Sequence, residues 1–169
     1  LLSDEGISFI FSCNSIVKTI YDDTTARYNA YFIANEEIKN IEEDYEKNLN
    51  QGFDSLIDLT YKIDTNQVSS IQERTQNSIE KLSILIQRQT TSKYVYPSYA
   101  LIGKSRLLNL NLKEAITTLK YVNSKSNNNE ANTMALVYLL RAYTENKDYN
   151  SAQEVDKFLT NREMNENLK

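Results

Sequence analysis

The chain contains no histidine and no tryptophan, and its 169 residues include one cysteine, one proline and three glycines. Without histidine, the Ser-His-Asp and Cys-His arrangements of nucleophilic catalysis cannot form, and every histidine-containing metal motif is excluded. No glycine-rich phosphate loop of either common type occurs. The sequence therefore predicts no catalytic residues, no metal ligands and no cofactor site, and it gives no sign of a small-molecule substrate.

The scarcity of proline and glycine favours helices, because both residues interrupt regular helical structure. The net charge is −4, and no stripe of lysine and arginine stands out along the chain. Nucleic acid is therefore not an expected partner, since binding it needs clustered cations to neutralise phosphates. The 12 tyrosines supply large apolar rings with polar tips, which suit the interfaces between helices.

The clearest pattern is a helical hairpin over residues 97–122, with two amphipathic segments and a polar joint between them. The small residues Gly103 and Ala115 would let the two helices approach closely. A second copy follows 37 residues further on, with Ala152 in the position of Ala115 and Leu140 in that of Gly103. Repeated hairpins of about this length are typical of tetratricopeptide (TPR) repeats. The residues predicted to pack the hairpins are Tyr99, Ile102, Gly103, Ala115, Leu136, Leu139, Ala142, Tyr143, Tyr149 and Ala152.

A single hairpin cannot bury its own apolar face, so we expect neighbouring copies to stack. The predicted fold is all-α, with antiparallel helical hairpins at about 97–123 and 130–160 stacked as a TPR-like α-solenoid. Residues 68–89 are predicted to form a helix that packs directly on residues 97–109, as the second helix of a degenerate repeat. The concave face would carry the partner contacts and would be built from 97–109 and 130–146, with 68–89 added if that repeat is intact.

Two regions precede the repeat region at 67–169. Residues 1–13 are predicted to be the remnant of a signal segment that ends in the lipobox-like Cys13, with an apolar residue three positions before it and a small residue directly before it. A lipid anchor on this cysteine and a buried or incidental free cysteine are both open. Residues 14–66 are predicted to form an N-terminal helical region. The acidic face of this region fits a solvated surface, with a carboxylate metal site as the alternative.

Basic and aromatic side chains of the repeat region are candidates for partner contacts. A TPR groove can hold a ligand carboxylate with lysine, arginine and asparagine side chains. The alternative is that the arginines are ordinary surface residues. Tyr94 and Tyr96 lie in a connection and are candidates for exposed contacts, whereas the other tyrosines are predicted to pack between helices. The arginines on or beside the predicted repeat helices are Arg74, Arg88, Arg106 and Arg141.

A short run after Cys13 is the most specific signal in the sequence, and its characteristic residues are Arg27, Tyr28, Asn29, Tyr31 and Phe32. This run resembles the opening of the TPR lipoproteins of the Bacteroidetes type IX secretion and gliding machinery, the PorW/SprE group. Residues 78–89, 99–106 and 113–116 resemble later parts of those proteins in the same order.

The resemblance implies an outer-membrane lipoprotein that is anchored through Cys13 and faces the periplasm. It implies that the protein connects the secretion translocon with other components, such as the periplasmic ring, by protein contact and without catalysis. Family members are far longer, so this chain would be an N-terminal portion. The alternatives are a TPR lipoprotein of outer-membrane protein assembly, a generic TPR interaction module, and an enzyme whose catalytic groups lie in sequence not present here.

Overall fold

The computed structural model describes residues 17–18, 20–21, 23–24, 30–49 and 68–167, and these residues contain helices and no strand. The all-α prediction is therefore confirmed. None of the described helices is long and apolar enough to cross a bilayer. Cys13, Arg27, Tyr28 and Asn29 lie outside the described residues. The helices are α1 (Phe32–Leu49), α2 (Val68–Arg88), α3 (Val95–Leu108), α4 (Leu112–Lys125), α5 (Asn129–Glu145) and α6 (Tyr149–Asn167).

Neighbouring helices pack against each other throughout the described part of the chain. Each helix packs on the next one, and α3 also packs on α5. The predicted packing of residues 68–89 on 97–109 is confirmed by the contact between α2 and α3. This arrangement is compatible with a helical solenoid. One buried cluster joins α1, α2 and α3, and it consists of Ala34, Ile38, Ile41, Tyr45, Ile71, Leu82, Leu101, Ile102 and Leu108.

Helix α3 lies at the centre of the packing and is buried over most of its surface. Ten of its 14 residues are buried, which is too many for a helix with one solvent-exposed face. Its neighbours α2, α4 and α5 cover three sides, and α1 covers a further one through the shared cluster. The expectation that residues 97–109 form part of a concave face with partner contacts stays a prediction.

In each of the two predicted hairpins, the first helix is connected to the second by a joint of the same backbone geometry. Leu110 and Lys147, which are 37 residues apart, both adopt the left-handed conformation, with φ of 57° and 60°. The backbone hydrogen bonds around them match at this offset, as in a helix C-terminus closed by a left-handed residue. The bonds run from Leu110 N to Leu107 O (2.9 Å), Asn111 N to Arg106 O (2.9 Å), Lys147 N to Thr144 O (3.1 Å) and Asp148 N to Tyr143 O (2.9 Å).

Polar residues and proline define where the helices of the hairpins begin. The side chain of Asn128 accepts a hydrogen bond from the Ala131 amide at 3.0 Å and caps α5. Asp148 likewise accepts from the Ser151 amide at 3.2 Å before α6. Pro97 lies in the first turn of α3, where its missing N–H has no intrahelical partner to lose.

The small residues of the first hairpin are both buried, and each has different neighbours. A Cβ atom on Gly103 would lie 2.5 Å from Leu119 Cδ2, so the glycine makes room for a leucine of α4. Ala115 instead belongs to a cluster with Leu107 and Ala142, which joins the two hairpins. Gly103 therefore allows close packing within the hairpin, and Ala115 allows it between hairpins.

Cations of the repeat helices pair with the acidic face of α1. Arg74 on α2 donates to Glu37 Oε1 at 2.5 Å and to Asp44 Oδ2 at 2.8 Å. Lys104 on α3 is 2.5 Å from Glu42 Oε2. This part of the acidic face is therefore a contact surface of α1 with α2 and α3, which neither the solvated interpretation nor the metal interpretation anticipated.

Candidate interaction surfaces

Most of the residues predicted to pack the hairpins lie inside the structure. Tyr99 and Tyr143 are half-buried. Tyr149 differs, because it begins α6 directly after a joint and its side chain is 65% exposed; the prediction that it packs in the hairpin core is wrong. The buried members of the set are Ile102, Gly103, Ala115, Leu136, Leu139, Ala142 and Ala152.

The two tyrosines predicted to be exposed are half-buried and contact other rings. Tyr94 lies 4.9 Å from Tyr31, measured between ring centroids. Burial raises the pKa of Tyr31 to about 12, with smaller contributions from Glu130 and Tyr94. Phe32, the other described residue of the specific motif, is 56% exposed. One aromatic ring of the motif therefore packs against the connection before α3, and the next one faces solvent.

A groove of about 520 Å³ runs between α2 and α4, with α3 as its floor. We call it the tyrosine groove because two tyrosines form its aromatic wall. Its walls are formed by aliphatic and aromatic surface and by hydroxyl and amide groups. The lining residues are Ser83, Ile86, Gln87, Tyr99, Ile102, Arg106, Thr117, Thr118 and Tyr121.

Two rings form the aromatic wall of this groove, and a third ring lies beside them. Tyr121 is 42% exposed, and its ring centroid lies 5.1 Å from that of Tyr99 in an edge-on contact. Tyr96 extends the group, with 6.5 Å between its ring centroid and that of Tyr121. Burial raises the pKa of Tyr99, and the neighbouring Tyr121 and Tyr96 add to the effect. The Tyr99 phenol therefore stays protonated at neutral pH.

Arg106 is the only residue lining the tyrosine groove that carries a formal charge. It projects from the last turn of α3, and its Nη1 donates to the hydroxyl of Thr118 on α4. That hydroxyl in turn donates to the Glu114 carbonyl oxygen at 2.8 Å. Arg106 Nε lies 3.4 Å from Glu114 Oε2, and the two side chains are 31% and 58% exposed. This is a long and solvated ion pair, which contributes little stability.

A second recess, of about 540 Å³, lies where the two joints approach the end of α1. We call it the joint cleft. Glu145 Oε1 accepts a hydrogen bond from Arg141 Nε at 2.8 Å on its wall, and the exposed side chains of Leu110 and Tyr149 flank it. The lining residues are Tyr45, Leu107, Leu108, Leu110, Leu112, Arg141, Thr144, Glu145, Lys147 and Tyr149.

These surfaces offer recognition chemistry: apolar contact, aromatic edges, hydroxyl donors and a cation. In the described parts of the chain, no group of three or more cysteine or acidic residues is placed to hold a metal ion. Of the four arginines singled out in the sequence, only Arg106 lines the tyrosine groove. Arg74 pairs with α1, Arg88 is exposed and Arg141 pairs within its own helix.

Comparisons with known proteins do not extend this description. The sequence matches no protein-family model, no curated protein and no solved structure.

Proposed function

We propose that this chain is a non-enzymatic scaffold built from stacked TPR-like helical hairpins, and that it binds partner proteins through the tyrosine groove. The observation that carries the proposal is the repeated joint, in which the same backbone hydrogen bonds recur 37 residues apart. Repeats that stack in this way generate extended surfaces used for protein binding. The tyrosine groove fits that role because tyrosine and arginine are enriched in protein interfaces.

We further propose that the scaffold belongs to a lipoprotein of the type IX secretion and gliding machinery at the outer membrane. The sequence resemblance over residues 24–32 and the lipobox-like Cys13 support this proposal. Cys13 would carry the lipid anchor on the periplasmic side, and the partners would be the translocon or periplasmic ring components. Replacing Cys13 with serine, followed by metabolic labelling with a fatty acid, tests the anchor separately from the scaffold.

An affinity capture from the native cell envelope tests the scaffold proposal. The tagged protein is compared with Tyr121→Glu, which places a charge in the tyrosine groove at a position that is already 42% exposed. Tyr149→Glu is the matched control, because it changes an exposed tyrosine outside that groove. We expect translocon or ring components with the unmodified protein and the control, and their loss with Tyr121→Glu.

Two results would contradict these proposals. Recovery of outer-membrane barrel-assembly factors in place of secretion components would assign the scaffold to outer-membrane protein assembly. Equal recovery of partners by Tyr121→Glu and the unmodified protein would remove the tyrosine groove as the binding surface, while leaving the repeated hairpins in place.

A further inference from the structure

We propose that the tyrosine groove binds an extended partner segment in which apolar or aromatic residues are followed by one Asp or Glu, and that Arg106 binds this carboxylate. The inference rests on the proposed scaffold function and names the chemistry of its partner. Its starting point is the charge of the groove, where a single cation lies beside an otherwise uncharged lining. A carboxylate is the complementary group for such a cation.

The guanidinium of Arg106 retains the capacity to bind a ligand. It has five N–H donors, and its contacts in the structure are the hydrogen bond to Thr118 and the long ion pair with Glu114. The bond to Thr118 fixes the side chain at the groove, which lowers the entropy cost of binding. An incoming carboxylate can therefore form the short charge-assisted hydrogen bonds that Glu114, at 3.4 Å, does not form.

Glu114 does not line the tyrosine groove, but it pairs with Arg106 and therefore competes with the ligand carboxylate for the guanidinium. Its side chain is 58% exposed, so it can turn into solvent at small cost when a partner carboxylate arrives. Glu114 thus acts as a weak internal competitor for Arg106. Replacing Arg106 with a neutral residue should therefore weaken binding of the partner segment, whereas replacing Glu114 with a neutral residue should strengthen it.

The surface beyond Arg106 explains why the acid lies within a segment and is not a chain terminus. Arg106 also lines an adjoining polar groove of about 630 Å³, so a bound chain can continue past it. Side-chain amides there can bond to an extended backbone, and Glu73 and Glu114 disfavour a second acid by like-charge repulsion. The residues lining this polar groove are Gln72, Glu73, Gln76, Ile79, Arg106, Asn109, Asn111 and Glu114.

The test uses fluorescein-labelled peptides with blocked ends and measures binding to the full chain by fluorescence anisotropy. The probe is Ser-Gly-Phe-Leu-Phe-Asp-Ser-Gly-Ser, and the reference peptide has Asn in place of Asp. In a third peptide, the C-terminus is left unblocked, so the chain ends after the second Phe with a free carboxylate. We expect the Asp peptide to bind roughly threefold to tenfold more tightly than the Asn peptide, as for a partly exposed charge-assisted contact.

Two substitutions then assign this difference to Arg106. Arg106→Gln should abolish the preference for Asp over Asn, and Glu114→Gln should tighten binding of the Asp peptide by roughly twofold to fivefold, since an exposed competing charge is removed. Arg88→Gln is the control, because Arg88 is an exposed arginine outside both grooves. Glu114 is exposed, so its variant tests the inference even if Arg106→Gln fails to fold.

Several outcomes would overturn the inference. They are equal affinities for the Asp and Asn peptides, tighter binding of the free-carboxylate peptide than of the Asp peptide, no gain with Glu114→Gln, or no binding of any peptide at about 1 mM. The scaffold proposal has its own readout, because capture of secretion components that depends on Tyr121 but not on Arg106 would support the scaffold while rejecting the carboxylate.

Discussion

The two hairpins have the same backbone hydrogen bonds at their joints but differ in the side chains of their helices. In the first hairpin, Gly103 on α3 leaves space for Leu119 on α4. At the corresponding positions, 37 residues further on, the second hairpin has Leu140 and Asp156. The large apolar residue is therefore on the second helix in the first hairpin and on the first helix in the second hairpin. Backbone geometry at the joint is maintained between the hairpins, whereas the residues at these two corresponding positions differ.

The hairpins also differ in how completely their first helices are covered. Helix α3 is surrounded by four neighbours, and its residue Ala100 is fully buried. The corresponding residue of α5, Val137, is 48% exposed. Lys104 on α3 has 8% side-chain exposure, compared with 27% for the corresponding Arg141. Helix α3 is therefore expected to tolerate less change than the corresponding helix α5, because more of its surface is covered by neighbours, and this difference orders the predictions that follow.

The largest effect is expected from Gly103→Leu. Even the first atom of a new side chain would lie 2.5 Å from Leu119 Cδ2, so the larger side chain must separate α3 from α4. We expect the free energy of unfolding to fall by about 1–3 kcal/mol, measured by urea denaturation. A melting temperature equal to that of the unmodified protein would show that Gly103 is not at a close helix contact.

A double variant tests the close contact between Gly103 and Leu119 in the first hairpin. Adding Leu119→Ala to Gly103→Leu should relieve the clash, so the combined loss should be smaller than the sum of the single losses by about 1 kcal/mol or more. Leu140→Gly in the second hairpin is the matched control and creates no clash. Strict additivity of the two first-hairpin substitutions would contradict the pairing of Gly103 with Leu119.

The second prediction compares the ion pairs of the two corresponding cations. Glu42→Gln leaves the buried Lys104 without its anion, and we expect a loss of about 2 kcal/mol, less than for a fully buried pair because Glu42 is 23% exposed. Glu145→Gln breaks a pair within one helix turn at Arg141, and we expect a smaller loss of about 1 kcal/mol, because the cation of this pair is 27% exposed although Glu145 is only 11% exposed. Urea denaturation of both variants at pH 7 measures the contrast, and equal losses would reject it.

The pH dependence of the free energy of unfolding tests whether Lys104 is the source of the larger loss expected for Glu42→Gln. Burial alone would lower the pKa of Lys104, but hydrogen bonds to Glu42 and Tyr138 outweigh it and the pKa is raised above 10.5. The folded state therefore binds this proton more tightly than the unfolded state does. The resulting stability is complete below pH 10.5 and is lost as the pH rises through the raised value. The difference between Glu42→Gln and the unmodified protein should shrink over that range.

The sequence was sufficient for features that depend on local pattern. The helices, the polar joints, the 37-residue offset and the packing of residues 68–89 on 97–109 all follow from periodicity and turn residues. The contacts of α1 could not be predicted, because periodicity identifies its acidic face but not the residues that approach it. Lys104 and Glu42 are 62 positions apart, and their pairing depends on how α1 covers α3.

The tyrosine groove was missed for the same reason. Its lining comes from three helices, and the sequence indicated only that tyrosines and arginines are frequent in the repeat region. The 12-residue spacing of Arg106 and Thr118 across a hairpin joint is the one local signal that could have placed Arg106 against α4. The exposure of Tyr149 was also missed, because the repeat pattern placed it among the packing residues but could not show the cleft beside it.

The smallest predicted effect tests the feature that the hairpins share. Leu110 and Lys147 both have positive φ, a conformation that Asn adopts more readily than Leu or Lys. We expect Leu110→Asn and Lys147→Asn each to raise the free energy of unfolding by about 0.5 kcal/mol, measured by thermal denaturation. Lys120→Asn, at an exposed position in the interior of α4, should instead lower it by a similar amount, about 0.5 kcal/mol.

The comparison between the two joint variants is more informative than either value alone. Equal gains would show that the joints are energetically equivalent, as their hydrogen bonds indicate. A smaller gain at Leu110 would mean that its side chain, although 60% exposed, makes apolar contacts in the joint cleft that asparagine cannot replace. Destabilisation by both substitutions would contradict the left-handed conformation itself, and with it the structural basis for treating the two hairpins as copies of one unit.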